Sequence, residues 1–212
     1  MTDVVLELDN SSTLTERVCY YARISNREKG VEDAERLVKY LIRNKHWSPF
    51  EMVDLTFYIH TTRDIARQML RHRSFSFQEF SQRYSDSVVM STPKEARLQD
   101  KANRQSSLPN DSAYTRARWE GLQNQVKKAS EEAYKTALSM GIAKEVARVV
   151  LPEGLTYSEM YMKGSLRSWI HYLQVRLDPT TQKEHREVAQ LIYNKVETVF
   201  PLIREIIKDE DH

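Results

Sequence analysis

Only five glycines, at positions 30, 121, 141, 154 and 164, are spread over the 212 residues. Neither a G-x-G-x-x-G turn nor a Walker loop can be written with them, so no glycine-rich backbone loop is there to cradle a phosphate. Any phosphate must be held by side chains. The lone cysteine, Cys19, is equally restrictive, because it rules out an internal disulfide framework and a cysteine zinc site. It stands in a helical stretch and reads as a small buried hydrophobe.

A net charge of +2 is close to neutral, so affinity for a polyanion has to come from local clustering and not from the field of the whole protein. Apolar residues fall in short periodic groups without one long run, which describes a soluble globular chain with no membrane span. Met1 to Asn10 carries acids and has no secretory pattern, so the expected location is cytoplasmic. The length suits one elaborated domain, residues 1–212.

Along the chain, Val4 to Leu8 alternates as a strand, and Ser11 to Thr13 offers caps for a helix through Val18 and Ala22. Asp33 to Lys45 carries Leu37, Val38, Leu41 and Ile42 at helical spacing. Ser48-Pro49 reads as a cap and first-turn proline, and Val53, Leu55, Phe57 and Ile59 alternate as a half-buried strand. Asp64 to about Arg73 returns to helical period, with an arginine-rich polar face. Ser87 to Pro109 is polar and reads as a mobile excursion or lid.

Asp111 to Met140 is a long helix closed by Gly141, with Tyr114, Trp119, Leu122, Val126, Ala133 and Ala137 as core or oligomer contacts. Ile142 to Val150 is a short helix stopped at Pro152, Thr156 to Met162 a strand, and Ser165 to Arg176 a helix broken by Asp178-Pro179. Gln182 to Val199 is the last, ending at Pro201. Strands mixed with helices of unequal length argue for α+β and against a doubly wound sheet.

The densest polar segment runs from Arg71 to Tyr84, directly after the helix bearing Gln68. If Glu79 to Arg83 is extended, Glu79, Ser81 and Arg83 project to one side and Phe80 and Gln82 to the other. Arginine forks and a serine hydroxyl can complete a phosphate shell where no glycine loop exists. Phe75, Phe77, Phe80 and Tyr84 interleave the charges, so the segment has to pack. Glu79 alone cannot neutralise Arg71, Arg73 and Arg83, and an anionic ligand is the economical partner. Asp64 or Asp86 are alternative counter-charges. No histidine stands at a spacing that would make Ser81 a nucleophile.

The run Arg71-His72-Arg73, then Ser74, Gln78-Glu79, Ser81 and Arg83-Tyr84, closely resembles the signature of the flavin-dependent thymidylate synthases. His46-Trp47-Ser48-Pro49-Phe50-Glu51 is similar to that family's upstream turn. Ala147 to Pro152, Ser165 to Ser168 and Leu173 to Arg176 extend the likeness over roughly His46 to Glu184. The resemblance implies an α+β domain with a central mixed, largely antiparallel sheet flanked by helices, one of them long. It also implies methylation of dUMP to dTMP, with methylenetetrahydrofolate as one-carbon donor and FAD, reduced by NADPH, as hydride carrier.

By the same resemblance, Gln68, Met69, Leu70, Arg71, Glu79, Phe80, Ser81, Gln82, Arg83, Arg148 and Arg176 match dUMP-binding positions. Ser48, Arg71, His72, Arg73, Glu79, Ser165, Leu166, Arg167 and His171 match FAD-binding positions. Arg176 matches the active-site arginine that favours ionisation at uracil N3, so that carbon 5 becomes nucleophilic without a cysteine adduct. No metal is implied, and the assembly implied is a homotetramer with sites between subunits. Gln78, Ser165, His171 and Thr180 depart from commoner family residues and bear on flavin affinity. Two other readings stay open at this level: a nucleotide-binding protein without redox chemistry, and an RNA-binding module built on Arg67, Arg71, Arg73 and Arg83 with aromatic stacking. Near-neutral charge counts against the second.

Overall fold

A computed structural model describes residues 2–7, 13–24, 27–84, 86 and 88–208. Its centre is a four-stranded sheet in the order β1-β2-β6-β3, formed by β1 (Asp3–Glu7), β2 (Asp54–Thr62), β6 (Tyr157–Ser165) and β3 (Ser76–Glu79). All three pairings are antiparallel. Alternation dictates the faces: Leu55, Phe57 and Ile59 of β2 and Met160 and Met162 of β6 point into the core, whereas Tyr58 and Tyr161 meet on the other face.

Helices α1 (Leu14–Ala22), α2 (Ala34–Arg43), α6 (Leu166–Arg176), α7 (Lys183–Val199) and α8 (Ile203–Lys208) supply most of the rest of that core, with Phe50, Ile65 and Met69 adding to it. Thr13 and Glu16 form a reciprocal capping box at the start of α1. Val188, Ala189, Ile192 and Val196 form the buried stripe of α7 at helical spacing. Trp169 of α6 is fully buried, crosses Phe57 edge to face at 4.7 Å, and donates its indole N–H to Leu55 O at 3.1 Å. Cys19 is buried as expected, and burial raises its thiol above the ordinary range.

Several boundaries differ from the sequence reading. The helix expected to reach Arg73 is α3 (Arg63–Met69), which tightens as Arg71 N–H bonds Gln68 O and His72 N–H bonds Met69 O. The chain then turns so that β3 can join β6. This turn lays Phe75 against Gly164, where a Cβ would sit 2.4 Å from Phe75 Cδ1, so glycine is required by close approach. β3 ends at Glu79, and Gln82 to Tyr84 is a turn, so the alternation drawn across Glu79 to Arg83 does not hold. Phe75 and Phe77 pack on the core, but Phe80 and Tyr84 are exposed.

Residues 88–109 are not a loose excursion. Met90 bridges Thr156, Lys94 exchanges backbone bonds with the Gln123 amide at 2.8 and 2.9 Å, and Leu98–Gln99 (β4) pairs with Ser107–Leu108 (β5). Polar composition concealed this because the partners of the segment are themselves polar and distant in sequence. The long helix is α4 (Ala113–Ser139), and only Gln123 and Tyr134 are buried along it. Tyr114, Trp119, Leu122 and Val126 are exposed, so they are not contacts of the main core. After it, the expected helix to Val150 is shorter, α5 (Lys144–Ala147), and passes into a tight turn at Arg148–Val150. Leu8, Ser11 and Ser12 lie outside the described residues. No helix among the described residues is long and apolar enough to cross a membrane.

Candidate active site

The end of α3, the end of α6 and the start of α7 converge on one polar nest. Arg176, the last residue of α6, donates from Nε to His72 Nε2 at 3.0 Å. His72 is therefore an acceptor at Nε2, and its neutral form is favoured. Burial, then the positive charge of Arg176, with His171 and Arg71 adding to it, lowers its pKa to about 4. Arg71 stands beside it, exposed.

Behind this pair lies a chain of hydrogen bonds with a defined direction. Burial pushes the Tyr172 phenol well above its ordinary value, so its hydroxyl stays protonated and donates to His185 Nε2 at 3.1 Å. His185 Nδ1 then donates to Gln68 Oε1 at 3.2 Å, and Gln68 Nε2 donates to Gln182 Oε1 at 2.7 Å. Gln182 in turn donates to Glu184 at 3.0 Å, which Arg97 pairs at 2.7 Å. His185 is wholly buried, and burial, followed by the charges of Arg176, His72 and Arg71, brings its pKa to about 3. Burial alone would raise the Glu184 carboxyl, but the bonds from Gln182 and Arg97 outweigh it and lower the pKa.

A second group lies beyond the other end of β3. Glu79 Oε1 accepts from Ser158 Oγ at 2.9 Å and faces the buried Arg63 at 3.8 Å. Past the strand, Arg83 pairs with Glu145 at 3.4 Å, and Arg148 Nε donates to Glu145 O at 3.2 Å, so these two arginines share one neighbour. Ser81 Oγ accepts from Arg83 N–H at 3.4 Å. β3 spans roughly 10 Å, which divides the expected dUMP residues into one cluster around Arg176 and another around Arg83 and Arg148.

A third feature is a cleft of about 530 Å³ between the α2–β2 connection and α6, lined by Lys45, Trp47, Ser74, Arg167, His171 and Gln174 among others. Glu51 anchors its wall, accepting from Ser165 Oγ at 2.5 Å and Arg167 Nη1 at 2.7 Å. The Ser165 hydrogen bond lowers the Glu51 carboxyl, burial opposes this, and Arg167 adds to the lowering. Ser165 is also the N-cap of α6, bonding Ser168 N–H.

Arg167 and His171 of the expected flavin set line this cleft, Ser165 is tied to its wall through Glu51, and Ser48 starts the 48–52 turn alongside. The side chains of Met69 and Leu166 are in the core, so ligand contact there is limited to backbone atoms. Arg63, Tyr172, Gln182, His185 and Lys45 were not singled out as ligand positions from sequence. A signal existed for His185 alone: it opens the buried stripe of α7, three residues before Val188, where a polar side chain needs a partner.

Comparison with known proteins identifies the family and the fold. Residues 5–202 match the Thy1 family, described as thymidylate synthase complementing protein. A flavin-dependent thymidylate synthase from Synechocystis is 51% identical over 172 residues, covering 81% of this chain and 79% of that one. A probable flavin-dependent thymidylate synthase of Paramecium bursaria Chlorella virus 1 is 44% identical, covering 86% and 85%. Among solved structures, the UMP/dUMP methylase PolB from Streptomyces cacaoi, bound with 5-Br UMP, superposes with a TM-score of 0.80 at 29% identity, covering 96% and 93%.

Proposed function

Because the chain belongs to the thymidylate synthase complementing protein family, that of the flavin-dependent thymidylate synthases, we propose that the Arg176 nest is where it activates the pyrimidine of dUMP. The chain is a flavin-dependent methyltransferase that makes dTMP from dUMP. The finer assignments are those that the family resemblance implies. Gln68, Met69, Leu70, Arg71, Glu79, Phe80, Ser81, Gln82, Arg83 and Arg148 hold dUMP, the arginines and Ser81 chiefly at its phosphate, and Arg176 stands at the uracil ring. Ser48, Arg71, His72, Arg73, Glu79, Ser165, Leu166, Arg167 and His171 hold FAD, with methylenetetrahydrofolate and NADPH as co-substrates in the cytoplasm.

The observation that carries this reading is the Arg176–His72 bond at 3.0 Å. A guanidinium is permanently protonated, and fixing its Nε on a neutral acceptor presents its terminal nitrogens to the pyrimidine without reorganisation. Charge developing on the ring at N3 is then stabilised by a cation already in place, and carbon 5 gains nucleophilicity. A protonated His72 would lose its acceptor and set a second cation against the first. Cys19, buried in α1, has no part in this chemistry.

The cleft suits a flavin: its volume lies within the ordinary range for small-molecule sites, its wall carries positive charge, and Trp47 and His171 offer flat rings. When bound, FAD supplies the hydride that reduces the transferred carbon to a methyl group, NADPH having reduced it. A homotetramer accounts for the split between the two arginine groups, since the Arg83–Arg148 group of one subunit can face the Arg176 nest of another. The exposed Trp119, Leu122 and Val126 on α4 are apolar surface that such an assembly would cover.

The visible spectrum of the purified protein tests the reading. Flavin bands that bleach with NADPH, faster when dUMP is present, are expected. A colourless, correctly assembled protein with no affinity for dUMP would refute it.

A further inference from the structure

Lys45 occupies a backbone conformation that its side chain makes costly. Helix α2 ends at Arg43, with Asn44 as its C-cap, and Lys45 follows at φ +56, its N–H on Ile42 O while His46 N–H bonds Leu41 O. This is the left-handed closure that helices usually assign to glycine, because any Cβ is strained there. Gly141, just past α4, takes the same kind of position at φ +78. Lys45 thus has the wrong backbone preference for the position it holds. The side chain is exposed, and no ion pair to it occurs among the described residues.

What distinguishes the position is the cleft. Lys45 lines it together with Arg167 and His171, and the carboxylate in that wall, Glu51, is already engaged by Arg167 and Ser165. Among the described residues, Lys45 is therefore the cation of the cleft that has no ion-pair partner. We propose that Lys45 is a cofactor-binding residue whose ammonium pairs with the diphosphate of the bound flavin dinucleotide, the strained backbone being tolerated because it delivers that charge to the cleft. The proposal rests on the flavin reading of the cleft and adds to it a residue that the family resemblance did not supply.

The experiment is a flavin titration of apo-protein by fluorescence, at low and high salt, with wild type, K45G, K45R and K45Q, using FAD and riboflavin in turn. Loss of one charge-assisted contact is expected to weaken FAD binding by K45G and K45Q roughly tenfold or more, with little effect on riboflavin, and to flatten the salt dependence. K45R should stay near wild type. Because glycine relieves the strained turn, the urea midpoint of apo K45G should rise while its FAD affinity falls. FAD affinity unchanged in K45G, or a penalty that appears equally with riboflavin, overturns the inference. So does a midpoint that falls together with affinity, which would assign Lys45 to the fold. Wild type that binds no FAD would instead sink the flavin reading itself.

Discussion

Lowering the pH should destabilise this protein through His185, and the size of the effect follows from its burial. The imidazole has no exposed surface and is held between Tyr172 and Gln68, with a pKa of about 3 against the ordinary 6.5. A histidine whose pKa is depressed by folding binds fewer protons folded than unfolded. Stability therefore rises with pH across the window from 3 to 6.5 and is lost as pH falls through it. Between about pH 8 and about pH 5 the unfolded chain gains the proton and the fold does not, which amounts to about 2 kcal/mol. That figure barely changes if the folded value is nearer 4, because at pH 5 the folded imidazole is neutral either way. The assay is urea unfolding at both pH values and one protomer concentration, for wild type and H185Q. H185Q should be less stable at pH 8, having lost packing and hydrogen bonds, but its drop on acidification should be smaller by about 2 kcal/mol. His72, lowered in the same direction, contributes a drop of its own that both proteins share. Equal drops in the two proteins would refute a neutral, buried His185.

R176A should form almost no dTMP while still retaining FAD, since the charge lost is the one at the pyrimidine; turnover at the wild-type rate would reject its role. S81A and R83A should each raise the dUMP concentration needed for half-saturation, by an amount corresponding to about 1.5–3 kcal/mol for one charge-assisted bond, and an unaltered saturation curve would show that the phosphate is bound elsewhere. G164A should cost about 1–3 kcal/mol in unfolding experiments, because the new methyl meets the Phe75 ring. Stability should be partly restored by F75L in the same chain, and a G164A protein as stable as wild type would refute the close packing.

Legibility followed the range of the interactions. The core strands and helices could be located in advance because Leu55, Phe57 and Ile59 repeat every second residue and Val188, Ile192 and Val196 follow the helical repeat, and such periods are local. Arg71 to Arg83 was visible as a dense run for the same reason. The chain from Tyr172 through His185 and Gln68 to Gln182 was not, since Gln68 and His185 are 117 residues apart and nothing local ties them. The anchoring of residues 88–109 escaped notice because polar sequence looks alike whether its partner is water or Gln123, Asp64 and Glu184.

The amino-acid order alone determined the α+β class, the absence of a glycine phosphate loop, the count of one cysteine and the motifs that mark the family. These depend on residue type, spacing and count, which exist before folding. Only the tertiary structure decided that Arg176 rests on a neutral His72, that Arg83 and Arg148 form a separate group beyond β3, and that Lys45 lines a cleft with no ion-pair partner among the described residues. Each of these depends on which distant groups share a low-dielectric neighbourhood, and burial and charge separation have no value until the chain has closed on itself.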